Sequence, residues 1–241
     1  MRALPPLFSC LYVHMNRADG AADFQLRRKN LLTHWIRAVA ARLLAYHRIL
    51  IDGGERLPAE GPALLLPKHC AYRDIPLEGL MLYRATRRYG TYVMKAGLWG
   101  ILEWVGGFKI TRPKDIRRIK DREQRRAEIR RARAANQQTQ NYLTWLYRQG
   151  ELVVSHPEGM RYQNAMGPMQ REIIDHLLKA EEELGMQIPL IPIGIEYESY
   201  WKPRGRVFFR IGEPLYSGRF DDPSDLVDAV GEQIRRLSGF A

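Results

Sequence analysis

Cysteine is scarce in this chain. Two residues, Cys10 and Cys70, among 241 cannot build a disulfide framework, so the sequence reads as that of a protein in a reducing compartment. No apolar run approaches the roughly 18–20 residues that a bilayer-spanning helix needs, and an integral spanning protein is not expected. The opening MRALPPLFSCLYV holds a short apolar stretch. Its paired prolines and the lack of a small-residue cleavage site speak against a signal peptide. Metal-ligand spacing is missing too. His14, His34, His47, His69, His156 and His176 are scattered and form no H-E-x-x-H, and the two cysteines form no CxxC, so neither a metal nor a bound cofactor is expected. A nucleotide-binding glycine loop is also absent, because Gly106-Gly107 precedes a strand-like run instead of leading from a strand into a helix.

Acidic residues are in deficit: 27 Asp and Glu face 38 Lys and Arg, for a net charge of +11. That surplus points to a polyanionic partner, either an anionic membrane surface or nucleic acid. Residues 112–133 concentrate it, with eleven Lys or Arg against Asp115, Asp121, Glu123 and Glu128. Some of this charge is paired along a helix, as with Asp121 and Arg125. From Arg112 to Asn141, however, there is no aromatic residue. Single-stranded nucleic acid is commonly held by aromatics set among basic residues, so nucleic acid is the less expected partner.

What is present is an ordinary globular composition, 45% hydrophobic and 27% charged, in a chain long enough for one sizeable domain. Residues 26–47 read as a helix. Leu31, Leu32, Trp35, Ile36, Val39, Ala40, Leu43 and Leu44 form an apolar stripe, flanked by Arg27, Arg28, Lys29, Arg37, Arg42 and Arg48. Such a helix suits either a membrane interface, with Trp35 and Tyr46 at headgroup level, or packing on a core. Strand-like runs follow at 47–52, 63–67, 91–95, 107–111, 151–155, 188–196 and 206–211. Helical segments alternate with them near 75–85, 97–105, 115–148, 168–184 and 223–237. Short apolar strands between helices predict an α/β fold: a single mixed, mostly buried β-sheet flanked by helices. The simplest partition is an N-terminal helical membrane-binding segment, residues 1–46, and a catalytic domain, residues 47–241.

The chemistry centres on His69-Cys70-Ala71-Tyr72-Arg73-Asp74, between the run Ala63–Leu66 and Ile75-Pro76. A histidine and an aspartate five residues apart on a strand-to-helix turn can act as a general-base pair. The carboxylate fixes the imidazole tautomer, and the other ring nitrogen takes a proton from a hydroxyl. The plainer alternative is a loop histidine followed by an aspartate that caps a helix, with Pro76 in the first turn. Backbone N–H groups from Cys70 to Asp74 are candidate donors to an oxyanion. Cys70 as a nucleophile is disfavoured, because adjacent residues on a tight turn seldom point at each other.

Three further blocks follow in order: Lys95 to Arg112, His156-Pro157-Glu158-Gly159-Met160-Arg161, and Ile188-Pro189-Leu190-Ile191-Pro192-Ile193-Gly194. With His69 and Asp74 they resemble the glycerolipid acyltransferase family, whose best-known members are the 1-acylglycerol-3-phosphate acyltransferases (PlsC-like proteins). The likeness runs from about Gly54 to Ile211-Gly212-Glu213-Pro214. It implies transfer of an acyl chain from acyl-CoA or acyl carrier protein to the free hydroxyl of a lysophospholipid, most simply lysophosphatidate, without an acyl-enzyme. His69 and Asp74 would then be catalytic. Lys95, Arg112 and Arg161 would hold the acceptor phosphate, with Glu158 and Gly159 shaping the turn and orienting Arg161. The helix at 26–47 and the surplus of positive charge lead to the expectation of a peripheral, monotopic protein on the cytoplasmic face of a membrane.

Three departures bear on the acceptor. The resemblance expects Ser or Thr where Ala71 stands, and Phe, Thr and Ser where His156, Met160 and Tyr162 stand. The stretch from Lys95 to Arg112 is also shorter than usual. These losses of hydroxyl groups leave open a different acceptor, such as an amino-acid-based lysolipid, or a non-catalytic lipid-binding scaffold with the same fold.

Overall fold

The computed structural model describes residues 24, 26, 30–43, 47–95, 107–110, 121–202 and 204–240. Seven strands form one sheet: β1 (Arg48–Asp52), β2 (Ala63–Pro67), β3 (Gly90–Lys95), β4 (Gly107–Ile110), β5 (Leu152–Val154), β6 (Leu190–Tyr197) and β7 (Arg206–Ile211). Their order is β1-β7-β6-β2-β5-β3-β4, with β6 and β7 antiparallel and every other neighbour pair parallel. The fold is therefore a mixed α/β sheet flanked by helices, as the alternation of apolar runs predicts. Each expected strand is found, with ends shifted by two residues at most.

The sheet is two-sided because β2 is buried along its whole length. Successive side chains of a strand point to opposite faces. Leu64 and Leu66 enter one core with α3 (Arg122–Arg148), α4 (Glu172–Leu184) and α5 (Pro223–Leu237), through residues such as Leu143, Leu177 and Val230. Ala63 and Leu65 enter the other, against Leu77, Met81 and Leu82 of α2 (Asp74–Thr86). A strand covered on both faces has no need of polar alternation, which is why β2 reads as a continuous apolar run.

The helix expected at 26–47 is described as α1, Asn30–Leu43. It packs beside α2, where Arg37 lies with its guanidinium 4.2 Å from the Tyr83 ring centroid and donates through Nε to Tyr89 Oη, just beyond α2, at 3.1 Å. Leu31 and Trp35 are 86% and 65% exposed, so part of the apolar stripe is turned away from the core. Among the described residues, no helix is long and apolar enough to cross a membrane. The helix expected at 97–105, and the start of the one expected at 115, lie outside the described residues.

Candidate active site

The strand order decides where the chemistry gathers. β2, β3, β5 and β6 run parallel, so their carboxyl ends share one edge of the sheet. Open α/β sheets bind ligands at that edge. β2 delivers Lys68 and His69 there, β5 delivers His156 and Glu158, and β6 ends at Tyr197. Blocks nearly ninety residues apart in sequence thereby meet (Lys68 and Glu158 are separated by 90 positions).

His69 Nδ1 donates to Asp74 Oδ2 at 2.9 Å. The His69 side chain is 11% exposed, while that of Asp74 is fully buried. Asp74 accepts three more hydrogens: from the Cys70 N–H at 2.5 Å and the Ala71 N–H at 2.7 Å on Oδ2, and from Tyr197 Oη at 2.6 Å on Oδ1. Burial pushes this carboxyl up, but the hydrogen bonds from His69, Tyr197 and Ala71 outweigh it and leave Asp74 below its ordinary value. Asp74 therefore stays ionised and holds one tautomer of His69, the one with its proton on Nδ1. Burial lowers His69 below the usual histidine value against the raising pull of Asp74, with the neighbouring His156 adding to the lowering.

Two expectations are corrected here. Asp74 is the first residue of α2 and not its cap: Arg73 precedes it without a side-chain cap, and the carboxylate folds back onto the turn. The same bonds commit the Cys70 and Ala71 N–H groups to Asp74, so these two are not oxyanion donors. Cys70 is inert: it is 2% exposed, its Sγ faces the Ile195 carbonyl, and burial pushes its thiol up to about 12.

Beneath the histidine lies a buried ion pair. Lys68 Nζ donates to both oxygens of Glu158, at 2.8 and 2.9 Å, and to the Tyr162 carbonyl at 2.7 Å. Glu158 also accepts from the His69 N–H at 3.0 Å and the Gly167 N–H at 2.6 Å. Its carboxylate is thus fully engaged in tying two loops together and orients Lys68, not Arg161. This is where the structure places the residue expected among the substrate-binding groups: buried, against the backbone of His69. Gly159 closes the turn after β5, its N–H donating to His156 O at 3.0 Å, with φ +63°, a conformation that favours glycine.

Arg161 reaches the surface beside the site, stacked 3.7 Å from the Tyr72 ring centroid and donating to Tyr72 Oη at 3.0 Å. Lys95 ends β3 on the same sheet edge, and its side chain lies outside the described residues, as does all of Arg112. Three groups that bond to the site residues were not singled out by sequence alone: Tyr197, Glu78, and Lys68 as the partner of Glu158. Glu78 stands four residues after Asp74 on α2, on the same face, which is the one signal that could have found it.

A family model described as Acyltransferase matches residues 48–196. No curated protein matches the chain. Among solved structures the chain is similar to the crystal structure of the 1-acyl-sn-glycerophosphate (LPA) acyltransferase, PlsC, from Thermotoga maritima. That likeness has 17% identity and a TM-score of 0.59, over 87% of this chain and 79% of the other. At this identity it is a likeness of fold.

Proposed function

The chain belongs to the acyltransferase family, and from that premise we propose that it moves a fatty acyl chain from acyl-CoA or acyl carrier protein to the free hydroxyl of a lysophospholipid, lysophosphatidate first. The observation that carries this reading is the His69–Asp74 pair, whose carboxylate is saturated by four hydrogen bonds and whose imidazole remains reachable. His69 Nε2 takes the proton as the hydroxyl oxygen attacks the thioester carbonyl. The new C–O bond forms, the C–S bond breaks, and His69 returns the proton to the leaving thiolate. No acyl-enzyme and no metal or other cofactor is required, since the acyl donor is itself a substrate.

Arg161 suits the acceptor phosphate, because its planar guanidinium is exposed and already held by Tyr72. Lys95 and Arg112 belong to the same proposed phosphate site. Arg161→Ala should raise KM for the lipid acceptor about tenfold, the worth of one charge-assisted hydrogen bond, with a smaller change in kcat. Steady-state kinetics with the acceptor varied would read this, and an unchanged KM would remove Arg161 from the site.

We also propose that residues 1–46 bind a membrane peripherally on its cytoplasmic face, before a catalytic domain of residues 47–241. The exposed Leu31 and Trp35 and the net charge of +11 support an anionic surface. The protein should sediment with vesicles containing anionic lipid and less with neutral ones, and Leu31→Glu/Trp35→Glu should release it. Equal sedimentation of variant and parent would sink this role for α1.

The deciding experiment for the reaction is acyl transfer by purified protein, offered both acyl carriers and a panel of lysolipids. Transfer to lysophosphatidate is the expected result. Transfer only to an amino-acid-based lysolipid would keep the mechanism and reassign the acceptor to the departures at Ala71, Met160 and Tyr162. No transfer from either carrier would favour a lipid-binding scaffold.

A further inference from the structure

A second histidine–carboxylate pair lies against the first. His156, delivered by the carboxyl end of β5, stacks on His69 with ring centroids 4.1 Å apart and planes inclined by 26°. Its Nε2 donates to Glu78 Oε1 at 2.9 Å. Glu78 is 1% exposed, and its other oxygen, Oε2, is buried without a hydrogen-bond partner. Nothing in the general-base step as described uses either residue.

Two imidazoles at this distance cannot both carry a proton cheaply, since like charges disfavour each other in a poorly solvated site. A first proton taken up by the pair therefore goes to one ring, and the surroundings decide which. Glu78 is a buried carboxylate with one oxygen unmet, so a positive partner is its main compensation. His69, for its part, faces Asp74, whose charge is already spread over four donors.

We propose that His156 and Glu78 are positioning residues that keep the resident proton on His156, so that His69 stands ready as a neutral base. This rests on the reading of His69 as the base. It also serves the second half of the reaction. Once His69 has taken the hydroxyl proton, the adjacent cation makes it a stronger acid toward the leaving thiolate.

The other charged groups around the pair are consistent with this order. His156 faces Glu78, Asp74 and Glu158, and although burial opposes its cation, Glu78 foremost raises it above the ordinary value. His69 faces Asp74, His156 and Glu78; burial foremost, then His156, lower it, Asp74 and more weakly Glu78 raise it, and it stands below its ordinary value. Lys68 is taken up by Glu158. Tyr92 and Tyr197, the hydroxyls that feel Glu78, are both pushed up, chiefly by burial, and stay neutral.

The test is a histidine NMR titration of the full chain, with resonances assigned from Glu78→Gln, His156→Phe and His69→Ala, beside the pH dependence of kcat/KM. The expected result is that His156 titrates above His69. In Glu78→Gln, which removes the anion at nearly constant shape, the acid limb of kcat/KM should move to higher pH. If His69 titrates at or above His156, or if that limb stays in place while the rate falls equally at all pH values, the pair only packs against His69 and the proposal is overturned. The titration order is read without turnover. Retained activity in His69→Ala would therefore strike the general-base reading separately.

Discussion

His69→Ala should lower kcat by about 10²–10⁴-fold, the contribution of a positioned general base, equivalent to about 3–5 kcal/mol of barrier. The loss should be one of chemistry and not of folding. The His69 side chain is 11% exposed and its one strong bond is to Asp74, which keeps its bonds to the Cys70 and Ala71 N–H groups and to Tyr197. Thermal unfolding should move little, and KM for either substrate should change far less than kcat. Asp74→Asn gives the contrast. An amide in that buried position must turn either its NH₂ group toward the Cys70 and Ala71 donors or its carbonyl away from Tyr197. It should therefore lose both activity and stability. A His69→Ala variant that kept more than about a tenth of kcat would exclude the histidine as the base.

The same residues show what a sequence can and cannot disclose. The α/β alternation was legible because each strand is a short apolar run set between helices, and β2 is uninterrupted because both its faces are covered. His69 and Asp74 were legible because both partners sit on one turn, five positions apart. Tyr197 completes Asp74 from 123 residues away, and Glu78 meets His156 across 78. Neither pair follows from periodicity, since each exists only because the sheet sets β5 and β6 on either side of β2. Strand order is a property of the assembled sheet, and local pattern does not carry it. Glu158 adds a partner that local pattern does not carry: the resemblance has it shaping a turn and orienting Arg161, and the fold pairs it with Lys68, 90 positions away and fully buried.

That buried pair carries the largest expected effect on stability. Lys68→Met should destabilise the fold by about 3–5 kcal/mol, the cost of leaving a buried charge without its partner. For a chain of this size that lowers Tm by about 6–20 °C. Both side chains are fully buried, and the lysine ammonium also holds the Tyr162 carbonyl, so water cannot replace it without opening the loop. The damage should reach catalysis as well, because Glu158 accepts the His69 N–H and the Tyr162 N–H donates back to the His69 carbonyl at 2.9 Å. Lys68→Met/Glu158→Gln separates charge from shape. With the orphaned anion neutralised, the double variant should be more stable than Lys68→Met alone, even though its one carbonyl can accept from only one of the His69 and Gly167 N–H groups, a coupling that thermal unfolding would read directly. A double variant no more stable than Lys68→Met would assign the loss to the packing of the lysine stem and the bond to Tyr162, and would mean that the pair contributes geometry to the His69 turn without an electrostatic penalty on breaking it.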